Sequence, residues 1–445
     1  MNMETELTKI SDYKEWCRSS FKEFEKSLNG NLKNPLHVLR KEAISYLSDV
    51  SFPTTKDENW KYTNISPVIS YPFKLYGNTE LEKSKISPYV FDYENWNLLV
   101  YVNGVYSSLL SKIKNDSSIL VSDLSTHDLK WNAIINKYFF KIASKKQEPF
   151  TVLNTAFCDH GALVFIPDNK IVQNPLQILN IVTEKGIMMH PRNLIIVGKN
   201  SHVQVVESYF STVDKINYFT NSVNEFCLEE NAHLQHYKIQ NESEQAFQIN
   251  STFIRQEKRS VYTSFNVDLG GKLTRNNISV LLNDEHTETN LYGLFVADNS
   301  QQIDNYSEID HAHPNCFSNE IYKGILNGAS KGVFNGKIIV RKDAQKTNAF
   351  QQNNNLVLSD DASMNTKPQL EIFADDVKCS HGATIGQLDE ETLFYLRSRG
   401  LSLDNAKSIL QHAFLSDVTS KIKVDIIKQK IDLLILEKFK KTDQQ

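Results

Sequence analysis

The residues best equipped for chemistry lie in "DDVKCSHGATIGQLDEE", 375 to 391, where Cys379 and His381 stand two positions apart. On an extended strand alternate residues face the same way, which puts thiol and imidazole on one face about 6.5–7 Å apart. Both are soft or borderline ligands suited to iron or zinc. Two ligands make only half a site, so an ordinary strand-end pair stands beside the metal reading. A second stretch, "EIDHAHPNCFSNE", offers His311, His313 and Cys316. Pro314 breaks the strand that would align its two histidines, which favours satisfied turn residues over a metal set.

Other chemistry is absent. "GASKGVFNGKIIV" is the nearest thing to a phosphate loop. Ile338 stands where Ser or Thr is required, and strand-like residues follow in place of a helix. Nucleotide hydrolysis by this chain is therefore not expected. No His-Glu-x-x-His, Gly-x-Ser-x-Gly or Cys-x-x-Cys occurs. Neighbouring acids, Asp360–Asp361 and Asp375–Asp376, would point to opposite faces of a strand and read as turn corners.

The elements that must position Cys379 and His381 form three zones within 445 residues, enough for more than one core. Residues 1–95 read as mainly helical. "SDYKEWCRSSFKEFEKSLNG" carries Trp16, Phe21, Phe24 and Leu28 at helical spacing, with Ser11 or Asp12 as cap and Gly30 as terminator. "NPLHVLRKEAISYLSDV" has Pro35 at its first turn. "FPTTKDENWKYTNISP" is a polar loop by composition, and Trp60 and Tyr62 imply that it is pinned to something.

From 96 to 386 the pattern changes to short runs of Val, Ile, Tyr and Phe broken by Asn, Asp and Gly. In one of them Val203 and Val205 alternate with His202 and Gln204. "VGKNSHVQV" and "LEENAHLQH" share one polar-corner order 31 residues apart, and "RQEKRSVYT" follows with the same order. A repeat of this length predicts a β-solenoid, in preference to a sandwich, without helical crossovers. Residues 387–445 return to helix. Asp389 caps "EETLFYLRSRG", Asp404 caps the next helix, and Val424, Ile427, Ile431, Leu434 and Ile435 line one face of the last. That face either packs on its own neighbours or docks a partner.

A net charge of −4 provides no basic field for nucleic acid. The chain carries five scattered cysteines, no apolar leader segment and no membrane-length apolar run. Together these point to a reducing, cytoplasmic setting with no nucleic-acid or membrane partner.

The phrases "HAHPNCFSNEIYKGIL", "GVFNGKIIVRKDAQKTNAFQQNNNLVLS", "TKPQLEIFADDVKCSHGATIGQLDEETLFYLRSRGLS" and, upstream, "FPTTKDENWKYT" resemble the SufB/SufD family of iron–sulfur cluster assembly proteins. Members of the SufB type read Glu-His-Glu-Ala-Thr where this chain has Ser380-His381-Gly382-Ala383-Thr384, and they carry Cys-Asp-Ser near residues 351 to 355, here "QQNNN". The chain therefore resembles the SufD type. The resemblance implies a right-handed parallel β-helix flanked by an N-terminal helical region and a C-terminal helical domain. It also implies a non-catalytic scaffold that pairs with SufB through its β-helix and docks the ATPase SufC through its C-terminal helices. A transient iron–sulfur cluster would form at the SufB interface, with His381 as this chain's ligand and Cys379 as a second soft ligand or a structural thiol. Reduced flavin is implied for the complex but falls on no residue, and a homodimer is possible when the chain is alone. The rival readings are a SufB-type paralogue, a plain structural adaptor and a β-helix enzyme acting on polysaccharide.

Overall fold

The computed structural model describes residues 10–28, 35–114, 116–126, 129–143 and 148–442. Its centre is a parallel β-solenoid of about eight turns, in which each turn gives one strand to each of two sheets. Successive strands of one sheet stack in parallel register, so that His202 lies beside His233 and then Val261. The repeat is set at one corner. Asn169, Asn200, Asn231, Arg259, His286, Asn315 and Lys346 all adopt positive φ there, between 55° and 61°. Asparagine tolerates this left-handed region better than most residues. Its amide also ties the turns together. Asn200 Nδ2 donates to Asn169 Oδ1 at 2.9 Å, and Asn231 Nδ2 donates to Asn200 Oδ1 at 2.8 Å. The imidazoles of His202 and His233, two residues on, stack with centroids 4.2 Å apart.

Period-two alternation decides which side chains fill the lumen. Val203 and Val205 join its buried apolar cluster, with Leu234, Tyr262, Leu291 and Phe334. Gln204 faces out, where its Nε2 donates to Gln235 Oε1 at 2.8 Å. The lumen also holds buried acids. Burial pushes the carboxyls of Glu242 and Glu320 up to about 7. The folded protein thus holds these protons more tightly than an unfolded chain would. The stability they confer is complete in acid, below the ordinary carboxylate value of 4.5, and is lost as pH rises through about 7. Integrated from pH 5.5 to 8, each carboxyl should cost about 2 kcal/mol of stability. Glu242→Gln should remove its own share of that decline in urea titrations at the two pH values. An unchanged slope would show that Glu242 ionises normally.

The N-terminal helices Ile10–Ser27 and Pro35–Tyr46 cover the outer face of one sheet. Ser11 and Asp12 lie within the first turn, not before it, and the expected stop at Gly30 lies outside the described residues. Two helices interrupt the zone expected to be purely β: Leu129–Tyr138 and Pro149–Phe157. In the second, Glu148 caps the helix by accepting from Thr151 N, while Phe150, Leu153, Ala156 and Phe157 are buried against the first two helices. These nine residues fall in the zone expected to be β, and packing on that helical layer decides for helix.

The polar loop with two aromatics is pinned, as its composition implied. Trp60 is buried with the Arg275 guanidinium 3.7 Å above its ring, and Arg275 is itself paired with Asp304. Tyr62 stays exposed, and its carbonyl accepts from Gln302 Nε2 at 2.8 Å. Trp60→Ala should cost about 3–5 kcal/mol, because a large cavity opens beneath a buried cation. Urea unfolding measures this, and a loss below about 1 kcal/mol would mean that the loop is a dispensable cover.

Of the C-terminal helices Glu390–Ser398, Leu403–Thr419 and Asp425–Thr442, the last two lie on the outer face of the other sheet, and the short first one packs on Leu403–Thr419. Asp389 caps the first, accepting from Thr392 N at 2.7 Å. Ser402, not Asp404, caps the second, because its hydroxyl sits one residue before the first helical turn and accepts from Asn405 N at 3.3 Å. Ile427, Ile431, Leu434 and Ile435 are buried in the cluster shared with Leu294, Val296 and Ile325 of the sheet. The apolar face read from sequence is thus used internally. A different set, Phe394, Tyr395, Ile409, Leu433 and Leu436, remains exposed.

Candidate functional site

The solenoid ends in two strands, Ser363–Ile372 in one sheet and Lys378–Gly386 in the other. Each pairs on one side only, with Lys331–Val340 and with Asn348–Val357. Among the described residues no further strand continues either sheet. Two unpaired edges therefore lie side by side, and the last turn of the lumen opens to solvent. Phe373 is 64% exposed there and Ile385 52%. Long, flat, partly apolar edges of this kind are templates for strand pairing with another chain.

Cys379 and His381 both sit on this last turn. Cys379 is in register with Ala349 and His381 with Gln351, and both of those partners are buried. The two residues therefore share the lumen face, as alternation predicts. Their surroundings differ. Cys379 is half-buried against the lumen cluster, and burial pushes its thiol pKa up against a smaller opposing hydrogen bond from the Ala349 backbone. His381 is exposed, one rung beyond the enclosed core. Among the described residues no group of three or more His, Cys, Asp or Glu could hold a metal. A complete ligand set needs groups from elsewhere.

The His311 stretch does not assemble into a site. His311 is fully buried at a strand end, 2.9 Å from Ser318 Oγ, and burial lowers its pKa to about 4. His313 lies in the exposed turn beyond that strand, so the two do not share a face. Cys316 is buried, its Sγ donating to Asp284 O at 3.3 Å. The acid pairs lie in the expected turns.

Residues 180–414, more than half of the chain, match a family model described as "SUF system FeS cluster assembly, SufBD core domain". Residues 12–178 match one described as "SufBD protein N-terminal region". The chain belongs to the SufBD family. It is 35% identical over 396 residues to an iron–sulfur cluster assembly SufBD family protein of Synechocystis sp., covering 86% of each chain. It is 29% identical to the iron–sulfur cluster assembly protein SufD of Escherichia coli, covering 87% of this chain and 89% of that one. With SufD of Bacillus subtilis the identity is 26%, over 94% and 98%.

In this SufBD protein the positions that separate SufD-type from SufB-type sequences fall on the open end. Gly382 points away from the lumen, and an added side chain would meet nothing within 4 Å. Space does not require glycine there, so what the SufB-type glutamate would add is a carboxylate at the open end. In the "QQNNN" run Gln351, Asn353 and Asn355 are buried on the lumen side and Gln352 is exposed. Sequence reading gave Gln351 no part in the site. The signal was available: Glu320, Gln351 and His381 recur at spacings of 31 and 30 residues, one solenoid turn each.

Proposed function

We propose that this chain is the SufD-type scaffold subunit of the SUF iron–sulfur assembly machinery. It would pair with SufB through the open end of its solenoid and dock the ATPase SufC through its C-terminal helices, 387–445. The observation that carries this reading is the uncapped last turn. It presents two unpaired strand edges, exposed apolar residues and a solvent-facing His381 in one place.

A cluster needs about four ligands, and this end offers one good one. A second chain lying across the same edges completes the set, with the main thiolate coming from SufB. The cluster is cargo, so a site divided between two chains suits release. His381 is the proposed ligand of this chain. Cys379, half-buried against the lumen cluster, is proposed at lower rank, as a second soft ligand or a structural thiol. The exposed Phe394, Tyr395, Ile409, Leu433 and Leu436 are the proposed contacts for SufC. The chain itself would be non-catalytic, with ATP hydrolysis on SufC, and reduced flavin would belong to the complex. Alone, the chain can cover its edges with a second copy through a two-fold axis. A cytoplasmic setting, without nucleic-acid or membrane partners, completes the reading. No described helix is long and apolar enough to cross a membrane.

Co-expression with SufB and SufC tests the proposal. A complex of all three chains that survives size-exclusion chromatography is expected, and failure to recover one would overturn the reading.

A further inference from the structure

The interior column that ends at His381 carries polar residues on three successive rungs. Glu320, Gln351 and His381 are register partners on Phe317–Leu326, Asn348–Val357 and Lys378–Gly386, so they share the lumen face. Glu320 and Gln351 are enclosed. Gln351 Nε2 donates to Glu320 Oε2 at 2.7 Å. A carboxamide holds its donor nitrogen and its acceptor oxygen at opposite corners of a rigid plane. With the nitrogen committed to Glu320 on the rung below, the oxygen is the atom left for a partner from the rung above, where His381 is the register neighbour. Gln351 Oε1 is buried and has no hydrogen-bond partner in the chain. A buried acceptor left open in this way is unusual and needs a reason.

The opposite wall makes room for this carboxamide. A Cβ at Gly336 would come within 2.1 Å of Gln351 Nε2 and 2.8 Å of its Cδ. Gly336 therefore leaves vacant the space that the amide fills. The Ser307 hydroxyl, on the neighbouring strand of the same wall, lies near the Glu320 carboxyl, although Ser307 Oγ and Glu320 Oε1 likewise have no hydrogen-bond partner.

We propose that Gln351 is a positioning residue for His381: the exposed imidazole, which does not meet Gln351 Oε1 in the conformation described, turns inward so that its N–H donates to that oxygen, fixing which ring nitrogen carries the proton and leaving the other lone pair toward the open end. The use of that lone pair as a ligand rests on the function proposed above, whereas the orientation itself does not. Glu320 acts one step further back, by holding the carboxamide nitrogen so that the oxygen is left for the imidazole. In functional terms, the imidazole would be preset before SufB arrives, so that less ordering is required when the shared site forms.

The test is long-range 1H–15N NMR of the intact chain labelled at histidine nitrogens, with the His381 ring assigned by loss of its signals in His381→Gln. One net hydrogen bond biases the ring toward one tautomer by about fivefold over the free-imidazole ratio. The bias is expected in the wild type and should vanish in Gln351→Met, which keeps the volume and removes the acceptor. Gly336→Ala crowds the same carboxamide from the opposite wall and should reduce the bias without altering residue 351. It also serves if Gln351→Met fails to fold. The same tautomer ratio in the wild type and in the folded variants would overturn the inference, even if their melting temperatures fall, because a merely structural role moves stability alone. Normal cluster build-up with His381→Ala would instead sink the ligand reading and leave the tautomer result standing.

Discussion

His381→Ala is expected to lower iron–sulfur cluster build-up on the purified three-chain complex by at least about tenfold, while leaving the complex intact. The magnitude follows from ligand chemistry. Loss of an outer-shell partner already costs roughly 10–100-fold in metal affinity, and loss of a direct ligand should cost no less. Assembly should survive, because His381 is exposed on the last turn and exposed substitutions usually change stability by under about 0.5 kcal/mol. Cys379→Ala is the contrast. Its thiol is half-buried against the lumen cluster and not solvent-facing like His381, so build-up within about twofold of wild type is expected, together with a modest loss of stability from the lumen packing. Absorbance of the cluster per complex, measured after anaerobic purification, separates the two variants. A folded His381→Ala complex with wild-type cluster content would reduce this chain to a plain adaptor. An equal loss in both variants would restore Cys379 as a second ligand.

The second large effect concerns the open end itself. Phe373→Lys combined with Ile385→Lys should weaken pairing with SufB by about a thousandfold. Each side chain is a large apolar group exposed beside an unpaired edge, the kind of anchor whose loss at an interface centre costs about 2 kcal/mol or more. Two such losses give about 4 kcal/mol, which is three orders of magnitude in Kd. Introduced lysines also repel edge-to-edge pairing generally, and natural sheets use them for that purpose. The isolated chain should melt close to wild type, because neither residue is buried. Sedimentation of the variant with SufB at micromolar concentration provides the measurement. Undiminished association would place the interface elsewhere on the molecule. Loss of SufC binding in the same variant would point to a general folding defect. The C-terminal helices supply an internal control, since Phe394 and Leu433 lie on other exposed surface.

Much of the architecture was legible from residue pattern because it depends on local rules. Val203 and Val205 faced the lumen as their alternation predicted, and the corner order around Asn200 and Asn231 marked the turns through a backbone conformation that asparagine tolerates. Asp389 became a helix cap because one carboxylate three residues before a free N–H is enough. Elsewhere local cues competed and context decided. Pro149–Phe157 became a helix within the zone expected to be β, and Ser402 replaced Asp404 as the cap. The apolar stripe of the last helix was legible, but whether it would be covered was not. Burial depends on the sheet face that folding brings beneath it.

The amino-acid sequence by itself determined that a parallel solenoid would form, and that Cys379 and His381 would share one face near its end. Only the tertiary structure decided what that face adjoins. Stacking in register places Ala349 beside Cys379 and Gln351 beside His381. One residue therefore packs half-buried against the apolar lumen cluster, and the other receives a polar column ending at an open acceptor. No local pattern reports this, because the residues of one column lie a full turn apart in the chain. Their environment exists only once the turns are stacked.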